Sequence, residues 1–338
     1  MKRTLLALFA LILCSYNVTA QNKFSTVMNT LKDRISISAY AQAGFTYNSN
    51  QSPSNQFDLK RVSLTAVGQV TDKWTVLLMA DFKAGKMQEF WTEYEFFPFL
   101  KVKFGQFKTA FSLGNFIAPT DVSLISGGAQ SVRYLAGADG SDPMYGPNAG
   151  RDLGLLVSGR FWHGFFIYEL GVMNGQGMNR SDRNSHKDFV GKLSFNVFDT
   201  LILSTSLIKG KGNSLVDNPE FGIAEKDNYR RDRWSMGINF FSPFFDLESE
   251  YLRGRDASIK SKGAYMVTNV HLTSKLDFIA AFDYFNKNRK IGDKQMDYVA
   301  GLQYWFYPQC RIQAQYVFSH SGLYKNNNSI QAQLQVAF

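Results

Sequence analysis

Hydrophobic and polar residues alternate along most of the chain from residue 35 onward. In the segment 35–47, ISISAYAQAGFTY, the odd positions from 35 to 45 are apolar, whereas positions 36, 38, 40 and 42 carry Ser, Ser, Tyr and Gln. In an extended chain these two sets point to opposite sides. The same alternation recurs along the chain and predicts 16 strands, beginning near Ile35, Val62, Trp74, Glu89, Leu100, Leu153, Phe165, Phe189, Leu201, Arg233, Asp246, Ala264, Leu276, Met296, Arg311 and Ile330.

The connections between these strands fall into two classes that alternate along the chain. Seven are very short, near residues 72, 98, 163, 199, 242, 274 and 308, and aromatic residues crowd around them. Eight are longer and polar, at 48–56, 83–87, 109–150, 174–187, 209–229, 254–262, 286–294 and 320–328. Short periplasmic turns, longer outer loops and aromatic girdles are typical of outer-membrane β-barrels. We therefore predict an all-β fold, a transmembrane antiparallel β-barrel of about 16 strands.

The final segment, SIQAQLQVAF (329–338), places Gln331, Gln333 and Gln335 on one side and apolar residues on the other. In a membrane barrel the glutamines face a wet lumen and the apolar side faces lipid. Because no open sheet edge can face lipid, the last strand must pair with the strand that begins at Ile35. A terminal Phe on such a strand also resembles the signal read by the outer-membrane assembly machinery.

The N-terminus has the pattern of a signal peptide. Lys2 and Arg3 precede an apolar run, and small residues precede Gln21. A lipid anchor at Cys14 is the alternative, but the large Leu13 before it argues against that. We predict a signal peptide at 1–20, an N-terminal periplasmic segment at 21–34 and the barrel at 35–338. Export and dispersed basic residues argue against nucleic-acid binding despite the net charge of +9.

A barrel of this size encloses an aqueous channel, and one loop is long enough to narrow it. The segment 109–150 carries apolar residues, among them Phe111, Phe116 and Leu124, that favour packing against other groups. We predict that it folds into the lumen and forms a constriction. A surface loop packed on a neighbouring subunit and a loop that plugs the lumen are the alternatives.

Strand alternation places several cations in the lumen as candidate pore residues. A tight hairpin at Pro98 sets Glu95 opposite Lys101 and Glu93 opposite Lys103, so these charges either line the pore or mainly satisfy one another. The cluster at 230–233 leads from a loop into a strand, where it attracts anions to the pore mouth or binds lipid phosphates or carboxylates. The candidates for pore and anion binding are Lys101, Lys103, Lys108, Arg133, Arg160, Lys192, Arg230, Arg231, Arg233 and Arg311.

The sequence lacks the patterns of an enzyme active site. The four His residues lie far apart, and there is no HExxH, GxSxG or Cys/His cluster. We therefore predict a non-enzymatic protein with no metal, cofactor or nucleotide site.

Several short segments resemble one known family. FGQFKTAFS (104–112) before the long loop and RDLGLLVSG (151–159) after it are similar to the phosphate-selective porin O and P family, as are DLKRVSLTAVGQV (58–70) and DFVGKLSFNV (188–197). The resemblance implies a trimeric outer-membrane porin for passive diffusion of small hydrophilic solutes, with a preference for anions such as phosphate.

The resemblance also implies roles for individual residues. It assigns Lys108 to the pore, although strict alternation places this residue on the lipid side, so the chain must turn inward there. It suggests a ladder of pore arginines at Arg230, Arg231 and Arg233. A plugged barrel or adhesin is the alternative function.

Overall fold

The computed structural model describes residues 34–138, 149–198 and 200–338 and shows a closed antiparallel β-barrel. The predicted signal peptide and all but the last residue of the segment 21–34 lie outside the described residues. The strands are β1 Ile35–Asn48, β2 Asn55–Thr71, β3 Trp74–Asp81, β4 Lys86–Phe97, β5 Leu100–Lys108, β6 Arg151–Phe161, β7 Phe166–Met173, β8 Asp188–Val197, β9 Leu201–Asn213, β10 Asn228–Phe241, β11 Phe245–Asp256, β12 Ile259–His271, β13 Leu276–Asn288, β14 Asp293–Tyr307, β15 Cys310–Ser321 and β16 Asn327–Ala337. A short helix, α1 (Gln130–Leu135), and two 3₁₀ turns, at 114–116 and 162–164, complete the described elements. The predicted barrel of 16 strands is confirmed.

The barrel closes between its first and last strands. β16 pairs with β1 in antiparallel register, with Tyr40 opposite Ala337 and Gln42 opposite Gln335. The amides of Ala39 and Phe338 each donate to the other residue's carbonyl at 2.9 Å. The predicted pairing of the last strand with the first is confirmed, and it leaves no unpaired sheet edge.

The two faces of the sheet differ as the alternation predicts. Gln42 and Gln335 are completely buried on the inner face, whereas Leu334 and Phe338 are 44% and 81% exposed on the outer face. Large aromatic side chains cover the outer face at the end with the short turns, where Phe97 stacks on Phe99 at a centroid distance of 5.1 Å. Exposed apolar residues in a continuous outer band are the expected surface toward lipid.

Several strands extend further at the loop end than the sequence predicts. β2 begins at Asn55 rather than near Val62, and the predicted loops 83–87, 254–262 and 286–294 shrink to 82–85, 257–258 and 289–292. The alternation fades before the strands end, because strand ends outside the hydrocarbon layer face water on both sides and carry polar residues on both faces. The length difference between loops and turns therefore rests mainly on 109–150, 174–187 and 214–227.

The main apolar core lies inside the barrel, around the long loop. Inward-facing side chains of the strands, such as Leu156, Leu252 and Phe285, pack in one buried cluster with the loop residues Phe111 and Leu135. The described part of the loop thus packs within the lumen. Within the described ranges, no helix is long and apolar enough to span a membrane.

Candidate solute passage

The long loop is attached to one side of the barrel wall through α1. The backbone amide of Gln130 donates to Asp283 Oδ2, and its side-chain Nε2 donates to Asp297 Oδ2, both at 2.7 Å. These two carboxylates are direct cross-strand partners on β13 and β14. The start of α1 is therefore held against this part of the wall by two hydrogen bonds to charged groups, which are stronger than neutral ones.

A second attachment holds the beginning of the loop against β11. Glu250 accepts hydrogen bonds from Ser112 Oγ at 2.7 Å and from the Leu113 amide at 3.0 Å. The Tyr265 hydroxyl donates to the same carboxylate at 3.2 Å and to Glu248 at 2.5 Å. Glu250 is buried and replaces the water that these loop amides would otherwise bind.

A third attachment involves polar side chains of β15 and β16. Arg311 Nη2 donates to the Val122 carbonyl at 2.8 Å, Gln313 donates to Ser123 at 3.0 Å, and Gln335 donates to Thr120 at 3.1 Å. The loop is therefore fixed to the wall from β11 to β16. Toward β1 to β6, the Gln42 side chain of β1 donates to the Pro119 carbonyl of the loop at 3.0 Å.

A cavity of about 160 Å³ lies on that side, between the loop and the wall. Four cations line it, Arg61, Lys108, Arg133 and Arg151, together with neutral groups such as Tyr40. No carboxylate belongs to the described lining. The described lining of this cavity is therefore basic.

The cations of this cavity differ in how their charge is compensated. Arg151 forms an ion pair with Glu89 at 2.7 Å and donates to the Ala149 carbonyl at 2.8 Å. In contrast, Arg61 donates to Gln42 Oε1 at 2.9 Å, and Lys108 donates to the Ile117 carbonyl at 3.0 Å. These acceptors are neutral, and no carboxylate of the described residues forms an ion pair with Arg61 or Lys108.

Lys108 reaches the passage because of its position at the end of a strand. β5 ends at Lys108, and the Thr109 amide then bonds the Gly150 carbonyl at 2.9 Å as the chain leaves the wall. From this position the long side chain extends to Ile117, inside the lumen. The inward turn that a pore role for Lys108 requires is therefore present, and Arg133 of α1 lines the same cavity.

Three other predicted lumen cations are paired with carboxylates. Lys101 is bonded to Glu95, and Lys103 lies 3.1 Å from Glu93, as the hairpin register predicts. Lys192 lies 3.5 Å from Glu169. Its ammonium also sits 3.6 Å from the centre of the Phe116 ring in the loop. Lys192 thus helps to hold the loop.

Arg160 is exposed one residue before the end of β6, at the turn end of the barrel. It alternates with the outward-facing residues of this strand and therefore shares the inner face with buried Leu156. It does not line the basic cavity.

The arginines of the predicted ladder lie on opposite faces of the sheet. Arg230 is exposed and alternates with the buried Tyr229 and Arg231, so it lies on the outer face, where it contacts Asp232. Its predicted place in the pore is therefore wrong, because the register of β10 turns it outward. Arg231 points inward, 3.7 Å from Asp256.

Arg233 and Arg311 are inward-facing but enclosed. Arg233 donates two hydrogen bonds of 2.8 Å to Asp256 and a third of 3.3 Å to the Leu135 carbonyl of α1. Arg311 is completely buried against the loop and Trp305. Both cations anchor the loop and neither lines the basic cavity.

Two cavity residues, Arg61 and Arg151, are missing from the predicted set. Both lie within the segments that resemble the porin family, 58–70 and 151–159. Arg61 lies two positions before the inward-facing Ser63, so the alternation predicts that Arg61 also points inward. The alternation does not predict the direction of the Arg151 side chain, because this residue is the first of its strand.

A second cavity, of about 470 Å³, lies toward the turn end of β10 and β11. Asp121, Asp246 and Glu248 contribute carboxylates to its lining. Ile117 borders both cavities. The first cavity is thus lined by cations and the second by carboxylates.

A comparison with protein-family models identifies the first half of the barrel. Residues 31–198, which include β1 to β8, match the model of the phosphate-selective porin O and P family. Over this range the chain belongs to this porin family. No curated protein matches the chain.

Solved structures share the fold of this porin at low sequence identity. An anion-selective porin from Comamonas acidovorans is 12% identical with a TM-score of 0.66, covering 90% of this chain and 99% of its own. The trimer form of OmpT, an outer membrane protein of Vibrio cholerae, is 12% identical with a TM-score of 0.66, covering 89% and 99%. The outer membrane channel DcaP of Acinetobacter baumannii is 10% identical with a TM-score of 0.62, covering 90% and 97%. The porin architecture therefore extends over the whole barrel.

Proposed function

We propose that this protein is a porin of a Gram-negative outer membrane that lets small hydrophilic solutes diffuse passively, with a preference for anions such as phosphate. One observation carries the proposal: the cavity beside the loop is lined by four cations and no described carboxylate. The family match and the similarity to an anion-selective porin support the same direction.

The geometry accounts for both attraction and release of an anion. Cations in a narrow passage with low-dielectric walls concentrate anions locally. Among the described residues, Arg61 and Lys108 bond neutral oxygens only, so an anion can approach them without displacing a described carboxylate. Conduction also requires weak binding at several sites, and a series of separate cations meets this requirement better than one deep site.

Further parts of the proposal concern assembly. We propose export by a cleaved signal peptide, insertion by the outer-membrane assembly machinery and a homotrimer, the last supported by the trimer form of the similar OmpT. We propose no enzymatic activity. His271 contacts Asp277 at 2.8 Å, but no hydroxyl nucleophile is bonded to it among the described residues.

The test is conductance of the purified protein in planar bilayers under a salt gradient. We expect steady ohmic conductance steps. The sign of the reversal potential should show a preference for anions. The double variant Arg61→Gln/Lys108→Gln should shift this potential toward cation preference, because it removes the two uncompensated charges. Added phosphate should reduce the chloride current of the wild type and affect the variant less.

The matched control is Lys73→Gln/Lys275→Gln, which removes two cations from turns at the far end of the barrel. It should leave the reversal potential within experimental error of the wild type. Absence of conductance steps would favour a plugged or adhesive barrel, and an unchanged potential in Arg61→Gln/Lys108→Gln would place the conduction path elsewhere.

A further inference from the structure

The outer face of β9 to β12 carries an unusual concentration of positive charge at the loop end. Seven basic side chains and one carboxylate, Asp232, share this face, as the exposed positions of the strands show. The seven are Lys209, Lys211, Arg230, Arg253, Arg255, Lys260 and Lys262. The outer face of β15, β16 and β1 at the same end instead carries residues such as Tyr316, Ile330 and Tyr47, and no Lys or Arg. The outer face of β14 adds one exposed cation, Lys294, so the charge is concentrated on the arc from β9 to β12.

Within this arc, the register sets like charges directly opposite each other. Arg253 is paired with Lys262, and Arg255 is paired with Lys260. Paired residues share a face about 5 Å apart, and the two pairs are separated by about 7 Å along the strands. These four residues form a cationic square, and like charges placed directly opposite destabilise a sheet unless an anion neutralises them.

The protein itself supplies little neutralisation of the cationic square. Arg253 Nε donates to the Tyr251 hydroxyl at 2.7 Å, and Arg255 Nε donates to the Ala257 carbonyl at 2.9 Å. Both acceptors are neutral. Asp232, the carboxylate of this face, is the cross-strand partner of Arg255, but its ion contacts are to Arg230 and to Lys209 at 3.6 Å. No carboxylate of the described residues forms an ion pair with a member of the square.

The cationic square lies next to the apolar outer band, on the side of the band that faces the loops. The next rung toward the membrane centre contains Met236 opposite Tyr251. Trp234 packs edge-on against Tyr251 at 6.1 Å. Met236 and Met266 are 59% and 48% exposed on the same face. Trp and Tyr mark the membrane–water interface, which puts the square at the depth of the lipid headgroups.

We propose that the cationic square binds the phosphate groups of a phosphorylated lipid in the outer leaflet, with its acyl chains on the adjacent surface of Met236 and Met266. Lys and Arg bind phosphate by charge-assisted hydrogen bonds, and the arginine fork adds bidentate contacts. The proposal rests on the proposed outer-membrane location. It assigns the arc from β9 to β12 to a lipid-facing side of the assembled porin.

The test measures binding of a bisphosphorylated lipid A to the folded, detergent-solubilised protein by native mass spectrometry. The variant Arg253→Gln/Lys262→Gln should bind about 30-fold more weakly than the wild type, because each surface cation contributes a roughly fivefold effect on binding to anionic lipid. Lipid A with both phosphates removed should bind the wild type much more weakly than bisphosphorylated lipid A does. This second comparison uses the wild type only and does not depend on the folding of the variant.

The control variant is again Lys73→Gln/Lys275→Gln, which should bind lipid A within about twofold of the wild type, since it removes the same charge far from the square. Equal binding of the two lipid forms, or unchanged binding by Arg253→Gln/Lys262→Gln, would overturn the proposal. Competition by inorganic phosphate at equal phosphate concentration would identify free phosphate as the ligand and also overturn it. Conductance of the same preparation tests the porin function separately, since the square lies outside the lumen.

Discussion

At the scale of single residues, the neighbours of a cation determine what it does. Arg233 and Arg311 point into the lumen as the alternation predicts, yet both are enclosed by acceptors from the wall and the loop. Arg61 and Lys108 also point inward but border open space with only neutral acceptors. A buried cation needs hydrogen-bond acceptors to offset its lost hydration, so the two enclosed arginines act as anchors, whereas the half-buried Arg61 and Lys108 border the cavity.

Replacing Arg233 by Ala should destabilise the barrel. The change leaves Asp256 buried without its bidentate partner, and breaking a buried ion pair in this way costs about 3–5 kcal/mol. The measurement is the heat-dependent loss of the folded band on a denaturing gel. The double variant Arg233→Ala/Asp256→Ala should recover part of the stability. A wild-type transition for Arg233→Ala would refute the anchoring role.

At the scale of elements, β5 and the long loop after it form one functional unit. Gly105 in β5 has a φ of +133°, and a Cβ there would lie 2.3 Å from the Phe90 carbonyl oxygen on β4. This close approach leads into the segment that places Lys108, after which the loop crosses the lumen to Glu250. Close strand contact at the start and hydrogen bonds to β11 together determine where the loop lies.

Substituting Gly105 by Ala should impair folding, because the side chain clashes with backbone and the conformation disfavours any Cβ, at a cost of about 1–3 kcal/mol. Refolding yield into detergent micelles measures the effect. Gly191→Ala on β8 is the matched control, since its Cβ would have its nearest neighbour at 3.3 Å, a flexible Leu170 methyl group. Equal yields for the two variants would show that Gly105 is not required.

Replacing Glu250 by Ala should loosen the loop. The change removes the acceptor of Ser112 and Leu113, and each hydrogen bond to a charged group contributes about 1.5–3 kcal/mol. Single-channel recordings should show more current noise and altered conductance. Glu225→Ala, which removes an exposed carboxylate from the loop 214–227, should leave the recordings unchanged. If recordings of Glu250→Ala show the current noise of the wild type, the other contacts of the loop hold it in place.

At the scale of the whole molecule, closure of the sheet connects the two ends of the described chain. β1 and β16 are paired over nine positions from Tyr40–Ala337 to Asn48–Ser329. Every strand therefore has two neighbours, as a barrel in lipid requires. The same closed wall separates the mixed charges of the lumen from the cationic arc outside.

Deleting residues 329–338 should prevent assembly of the barrel. The deletion removes most of β16 and exposes unpaired edges on β1 and β15, whose backbone groups cannot be satisfied in lipid. Protein extracted from the membrane fraction should show no folded species by its mobility on a gel. Deleting 323–325 from the β15–β16 loop, which removes no strand residue, should still give folded protein. Normal folding after the longer deletion would contradict the requirement for closure.

The sequence by itself determined the faces of the strands, their approximate number and the closure of the last strand on the first. These features depend on a period of two and on the need to satisfy every backbone group, both of which are local or general constraints. The apolar residues of the long loop also indicated that it packs inside. The sequence predicts the positions of the strand ends at the loop side less well, since the alternation stops where both faces contact water.

Only the tertiary structure decided which inward cations are enclosed by the wall and the loop and which line the basic cavity. Alternation gives the face of a side chain but not its neighbours on other strands or on the loop. Arg311 bonds Val122, which is 189 positions away in sequence, and Arg233 bonds both Asp256 and Leu135 of the loop. Because the energy of a buried charge depends on such distant partners, the location of the basic passage followed from three-dimensional packing and not from the pattern of residues.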